Sequence, residues 1–231
     1  MTDYAATRDR VEHYFDRTAT KVWERLTSDA PVSGVRATVR AGRDRMRALM
    51  LAQLPDDDLR GARILDAGCG TGAMAVELAQ RGADVVAVDI SPALVKIGEK
   101  RMPNGLPGTI TWVAGDMLDA TTGNFDHALA MDSLIYYTAP DIAALLDRAA
   151  LRINGKFVFT VAPRTPALML MWRVGKLFPA SDRSPVMIPH TTAGVADALR
   201  KAGVKGALRD IERVKSGFYI STALVFERAR K

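Results

Sequence analysis

From Gly61 to Val161 the chain alternates short apolar runs with helical patterns, and this rhythm constrains the fold more than any other feature. Ile64-Leu65, Val85 to Asp89, Thr109 to Ala114, Phe125 to Met131 and Phe157 to Val161 read as five strands. Met74 to Arg81, Pro92 to about Lys100 and Asp141 to Leu151 read as helices between them. Ser91 before Pro92 gives the middle helix an N-cap and a first turn. Strands separated by helices require parallel pairing and right-handed crossovers. Beyond them, Gly194 to Lys201 reads as a helix, and Val204 to Ile211 with Phe218 to Phe226 as a closing hairpin around Lys215-Ser216-Gly217. The expected fold is therefore α/β, a Rossmann-like, doubly wound, mostly parallel sheet of seven strands.

The first strand runs into Asp66-Ala67-Gly68-Cys69-Gly70-Thr71-Gly72. Alternate glycines let the backbone turn sharply and approach a ligand that a Cβ would obstruct. A strand, glycine turn and helix in this order make a nucleotide pocket at the carboxyl edge of a parallel sheet. The G-x-G-x-x-G spacing that seats a pyrophosphate is absent, and an acid stands at the loop entrance instead. Such an acid repels a pyrophosphate and suits a ligand carrying a cationic ammonium. Cys69, a lone thiol in this loop, reads as a small filler rather than a nucleophile.

Two additions flank this unit. Residues 1–60 form an expected helical cap, with Val11, Tyr14, Phe15, Trp23 and Leu26 at helical spacings, then Val35, Val39, Met46, Leu49 and Met50. Phe15 reads as part of that cap's buried face. Residues 61–231 form the main domain, which includes an insertion over 162–192, too long for an ordinary strand-to-helix connection. The insertion mixes Pro163, Pro166, Pro179, Pro185 and Pro189 with an apolar run to Trp172, rimmed by Arg164, Arg173, Lys176 and Arg183. An apolar patch edged by cations at the sheet's carboxyl end makes a natural lid over a flat, greasy anion. The same composition also suits a segment lying on a membrane surface.

Charge is unevenly placed. The chain has 231 residues and a formal charge of +6, with +1 in residues 1–60, −5 in 61–151 and +10 in 152–231. The basic tail half suits an anionic partner or a solvated basic face. One cysteine excludes an internal disulfide and a cysteine-based metal site. No run approaches the roughly 20 apolar residues of a membrane span, and no signal peptide opens the chain, so a cytoplasmic location is expected.

The acid-and-glycine pattern over 61–161 resembles the class I S-adenosylmethionine (SAM) methyltransferases. That resemblance implies a cofactor set of Asp66, Gly68, Gly70, Asp89, Ile90, Asp116, Met117 and Met131, with no protein-bound metal. Asp89, ending strand two, would take the ribose hydroxyls; Asp116 the adenine amino group; Met117 the ring face; and Met131-Asp132 the methionine portion. The match goes further. Tyr14-Phe15-x-x-Thr18 with Trp23 and Arg25, Arg40-x-Gly42, Asp132-Ser133-Leu134-Ile135-Tyr136-Tyr137, Ala162-Pro163-Arg164-Thr165-Pro166, Phe178-Pro179 and Ile188-Pro189-His190 resemble the magnesium-protoporphyrin IX O-methyltransferase family of bacteriochlorophyll synthesis. One departure is Tyr136, where oxygenic members tend to carry His.

The family implies methylation of one propionate of Mg-protoporphyrin IX. It makes Tyr14 and Tyr136 candidates to orient the carboxylate, and Arg164, Arg173 or Lys176 candidates to hold a propionate. Trp172 joins the substrate set with His190, read as a pocket wall or axial magnesium ligand. A ring packed in the core with its hydroxyl satisfied is the plainer reading of each Tyr. His127 reads as structural. A magnesium chelatase subunit and peripheral membrane contact are implied partners. Methylation of another small apolar anion or a quinone is the alternative. A nucleic-acid methyltransferase fits the basic tail but lacks an Asn/Asp-Pro-Pro-aromatic run after strand four, so nucleic acid is not an expected partner. A non-catalytic SAM- or NAD-binding scaffold needs the acids without an acceptor pocket.

Overall fold

In a computed structural model the described residues are 4–16, 34–119, 123–165, 169 and 187–229. The elements are α1 (Tyr4–Tyr14), α2 (Gly34–Leu51), β1 (Arg63–Ala67), α3 (Ala73–Gln80), β2 (Asp84–Asp89), α4 (Pro92–Arg101), β3 (Thr109–Ala114), β4 (His127–Ala130), α5 (Ala139–Ala149), β5 (Lys156–Val161), α6 (Thr192–Lys201), β6 (Gly206–Ser216) and β7 (Tyr219–Arg228). A 3₁₀ turn, Leu134–Tyr136, precedes α5. The seven strands lie in the order β3-β2-β1-β4-β5-β7-β6. The first five are parallel, and β7 runs antiparallel to both its neighbours.

The inner strands β1, β2, β4, β5 and β7 are buried on both faces, and the pleat divides the core between them. Leu65, Val86, Ala128, Phe157, Phe159, Leu224 and Phe226 pack on one face with Ile142, Leu145 and Leu146 of α5 and Val195 and Leu199 of α6. Their neighbours Ile64, Val85, Leu129, Val158 and Val225 point the other way, onto Met46 and Met50 of α2 and Leu78 of α3. Adjacent residues on a strand face opposite sides. Apolar strands without polar alternation are therefore what a sheet covered on both faces requires.

Several boundaries depart from the sequence expectation, three of them for a visible reason. β4 is only His127–Ala130, because Phe125 instead makes an isolated parallel bridge to Ile153. α5 begins two residues early, where Thr138 caps it. The Asp141 carboxylate accepts from the Thr138 N–H at 3.1 Å and its hydroxyl at 2.6 Å, and the Asp141 N–H faces that hydroxyl at 3.4 Å. Thr138→Ala should cost about 1 kcal/mol, read as a lower midpoint in urea unfolding with an unchanged slope. β6 runs to Ser216 rather than Ile211, because a bulge between Asp210 and Glu212 resets its alternation. As an edge strand it carries Arg209, Asp210, Glu212, Arg213 and Lys215, charges that discourage pairing with another chain.

Because β1 to β5 are parallel, their carboxyl ends meet at one edge, and the strand order reverses between β1 and β4. Ligands bind at such a switch point.

Candidate active site

The turn after β1 is tied to β2 through both backbone and side chain. The N–H groups of Gly68 and Cys69 donate to the Val88 carbonyl at 2.7 and 3.0 Å. The Gly70 N–H donates to the Asp89 carboxylate at 2.7 Å, and Ser91 N–H donates to its other oxygen at 2.9 Å. Gly68 has φ +80°, and a Cβ there would stand 2.3 Å from Ser133 Cβ. Ser133 is itself pinned by its hydroxyl donating to the Ala67 carbonyl at 2.9 Å. The glycine turn and the loop after β4 thus touch backbone to side chain, which is the close approach that the missing Cβ allows.

One open cavity lies over this edge, enclosing about 1020 Å³ of space that is continuous with solvent. Asp66, Gly68, Gly70, Asp89, Ile90, Asp116, Met117, Met131 and Tyr136 all line it, so the strand ends bring these candidates together. Asp66 is 1% exposed, and among the described residues its Oδ2 has no hydrogen-bond partner. Burial, then the charge of Asp89, pushes its carboxyl up to about 7, against the Ala75 N–H and the Arg47 cation. Burial pushes Asp89 up to about 6, tempered by the N–H groups of Ser91 and Gly70. A buried acceptor aimed into a cavity without a donor calls for a cationic or donor ligand. Burial, then Asp89 and Asp66, raise the Cys69 thiol well above its ordinary value, which leaves it protonated and inert as a nucleophile.

Asp116 is placed as expected but already engaged. It accepts from the Tyr4 hydroxyl at 2.9 Å and the Leu118 N–H at 2.8 Å, with Arg8 at 3.5 Å. Tyr4 also stacks on Tyr137 with ring centroids 5.1 Å apart. Tyr4 and Arg8 of α1 are pocket residues that the sequence reading missed. Their spacing shows only a helix of alternating polarity, with no sign of which acid α1 would meet.

Beyond the carboxyl end of β4 the cavity wall includes Tyr136, 8% exposed, with Phe15 edge-on at 6.2 Å. Phe15 faces the cavity as well as the core, so its reading as purely a buried helix face is corrected. Tyr14 packs edge-on against Phe15 at 5.2 Å and lies near enough to Tyr136 to influence its phenol electrostatically. Tyr14 does not itself line the cavity. Burial, then Asp132, hold the Tyr136 phenol above its ordinary range, so it stays a protonated donor at neutral pH. Asp132 also belongs to this wall. It receives the Arg43 guanidinium at 2.6 Å and the Tyr219 hydroxyl at 3.0 Å.

Two substrate candidates fall elsewhere. His190 is buried, its Nε2–H donates to the Tyr137 carbonyl at 2.9 Å, and it does not line the cavity. Burial lowers its pKa, so it is a neutral structural group, a correction to the pocket-wall or axial-ligand reading. Its backbone joins the two ends of the insertion. The His190 N–H donates to the Ala162 carbonyl at 2.8 Å, and the Arg164 N–H donates to the His190 carbonyl at 2.9 Å. This pairing leaves the Arg164 residue exposed, away from the cavity. The Ile188 N–H donates to the Ile135 carbonyl at 2.8 Å, so the insertion's return point touches the turn that carries Tyr136. Trp172, Arg173 and Lys176, with Trp23 and Arg25, lie outside the described residues. His127 is structural, its Nδ1 accepting from the Lys156 N–H at 3.0 Å.

The family described as magnesium-protoporphyrin IX methyltransferase C-terminus matches residues 130–228, and a general methyltransferase domain family matches residues 64–154. A magnesium-protoporphyrin O-methyltransferase from Rhodobacter capsulatus is 57% identical over 97% of this chain and 98% of its own length. The chloroplastic magnesium protoporphyrin IX methyltransferase of Arabidopsis thaliana is 30% identical over 93% of this chain and 69% of its own length. The crystal structure of magnesium protoporphyrin IX methyltransferase (ChlM) from Synechocystis PCC 6803 with bound SAH superposes with a TM-score of 0.80 at 26% identity, covering 96% of this chain and 100% of that one. With that sheet order and glycine turn, this chain belongs to the magnesium-protoporphyrin O-methyltransferase family of class I methyltransferases.

Proposed function

We infer that this enzyme transfers the methyl group of SAM to a propionate carboxylate of Mg-protoporphyrin IX, giving the monomethyl ester. The observation that carries this is a single cavity lined both by an unmatched buried acid, Asp66, and by phenol and guanidinium groups, Tyr136 and Arg43. Asp66 fits the methionine ammonium of SAM, and the Asp89 carboxylate at the end of β2 suits the ribose hydroxyls. Asp116 and Met117 suit the adenine if the Tyr4 hydroxyl yields Asp116 or shares it. When bound, SAM supplies an electrophilic methyl on a sulfonium.

The chain's own work is then placement. A propionate is already ionised at neutral pH, so no general base is required. The acceptor oxygen's lone pair forms the O–C bond while the C–S pair goes to sulfur. A carboxylate and a sulfonium both become neutral, and no proton moves. Burial around Tyr136, Phe15 and Met131 excludes water from the acceptor, and alignment can supply several kcal/mol. Tyr136, held protonated, donates one hydrogen bond that orients the carboxylate. Tyr14, which does not line the cavity, acts through its neighbour Tyr136.

Tyr14→Phe should lower kcat by about three- to tenfold through the loss of that support to Tyr136, while SAM affinity stays within twofold. An unchanged kcat would remove Tyr14 from the site. Residues 162–192 act as the substrate lid, supported by the way both ends meet beside the Tyr136 turn. The +10 charge of residues 152–231 supports contact with an anionic surface, either membrane headgroups or a magnesium chelatase subunit. No helix among the described residues is long and apolar enough to cross a membrane. The deciding experiment is incubation with SAM and Mg-protoporphyrin IX, with chromatographic detection of the ester. SAM binding without ester would leave only methyl transfer to some other acceptor.

A further inference from the structure

Resting on that substrate assignment, we propose that Arg43 carries the acceptor carboxylate and that Asp132, held by Tyr219, is the positioning residue that steadies and neutralises it. Asp132 is the one non-glycine among the described residues with positive φ, +57°. A strained backbone at a cavity wall persists only where the surroundings hold it. Three separate elements do so here. Arg43 of α2 reaches Oδ2 at 2.6 Å. Tyr219 of β7 donates to Oδ1 at 3.0 Å, with Oδ2 at 3.3 Å. Thr160 of β5 donates to Oδ1 at 3.3 Å and accepts the Asp132 N–H at 2.8 Å.

α2 is also shaped to deliver Arg43. A Cβ on Gly42 would stand 2.7 Å from the Tyr219 ring, so the helix can seat on Tyr219 only because Gly42 lacks one. Arg43 and Asp132 both line the cavity. Tyr136, four residues after Asp132, lines the same cavity.

The pairing suits the chemistry. A planar guanidinium matches a carboxylate in geometry. Yet the acceptor's negative charge disappears as the O–C bond forms. An unneutralised cation would therefore stabilise the bound carboxylate more than the transition state, which slows the step. Asp132 cancels that excess charge and leaves Arg43 as an oriented donor.

The test uses Mg-protoporphyrin IX titrated into the SAH-loaded enzyme, followed by porphyrin absorbance, alongside steady-state kinetics. Arg43→Gln should weaken porphyrin binding about tenfold, the worth of a charged hydrogen bond, with SAH affinity within twofold. Asp132→Asn should bind porphyrin as tightly or more tightly while kcat falls about tenfold, because the uncancelled cation favours the ground state. Tyr219→Phe keeps both charges and should lower kcat in the same direction by about threefold, because Arg43 and Thr160 still hold Asp132; it carries the test if Asp132→Asn does not fold. Unchanged porphyrin affinity in Arg43→Gln overturns the proposal. So does a rise in KM with kcat intact in Asp132→Asn or Tyr219→Phe. A wild-type enzyme that neither binds nor esterifies Mg-protoporphyrin IX fails the substrate assignment first and takes the proposal with it.

Discussion

Asp66→Asn should weaken SAM binding by roughly a hundredfold, at the upper end of what a hydrogen bond to a charged group contributes. The side chain keeps its shape but loses the charge proposed to face the methionine ammonium. Its Oδ2 has no partner among the described residues, so no protein donor compensates when the ligand is absent. The thermal midpoint at pH 8 should hold or rise, because the variant removes a buried charge rather than a contact.

A pH dependence follows from the same group. Burial and Asp89 push Asp66 up to about 7, and burial pushes Asp89 up to about 6. Both folded values lie above the unfolded carboxylate range, so the folded state binds more protons. The contribution of these groups to stability is therefore full below about pH 4 and is lost as pH rises through about 6 to 7. An ammonium ligand favours the ionised form. SAM affinity in the wild type should rise by up to about tenfold per pH unit below the Asp66 value, flatten above it, and fall again from about pH 8 as the ligand's own α-amino group loses its proton. Asp66→Asn should abolish most of that rise. Isothermal titration across this range decides the matter, and a wild-type affinity independent of pH would refute the role of Asp66.

Gly68→Ala should destabilise the fold by about 2–4 kcal/mol, combining left-handed strain with overpacking. The added Cβ would meet Ser133 Cβ at 2.3 Å, and Ser133 has little freedom to retreat. Its hydroxyl is bound to the Ala67 carbonyl, and its neighbour Asp132 is held from three elements. A loss of that size lowers the thermal midpoint by about 5–15 °C in a chain of this length. Movement of either loop would also disturb Asp66 and Met131, so SAM affinity should fall with stability. Gly61 supplies the control. It shares φ +80°, but a Cβ there has nothing within 4 Å. Gly61→Ala should therefore cost only about 1–2 kcal/mol, the strain alone. Equal midpoints for the two variants would show that contact with Ser133 is unimportant.

The sequence by itself determined the parallel sheet, the place of its ligand edge and the acids that line its cavity. These are local matters. Apolar runs such as Val85-Val86-Ala87-Val88 set the strands, Asp89 falls at a strand end, and the glycine turn follows Asp66 without a break. The family resemblance carried the acceptor end as far as Tyr136. Tertiary structure decided the rest, because it depends on which distant segments meet. Nothing near Arg43 in sequence indicates Asp132, 89 positions away, or the Tyr219 hydroxyl on the far hairpin. Tyr4 engages Asp116 across 112 positions. His190, beside the lid in sequence, turned inward because its ring could bond the Tyr137 carbonyl while its backbone closed the insertion against Ala162. Periodicity records which way a residue faces along its own element. Only the packing of α1, α2 and β7 against the sheet edge decides which polar group it faces across the cavity.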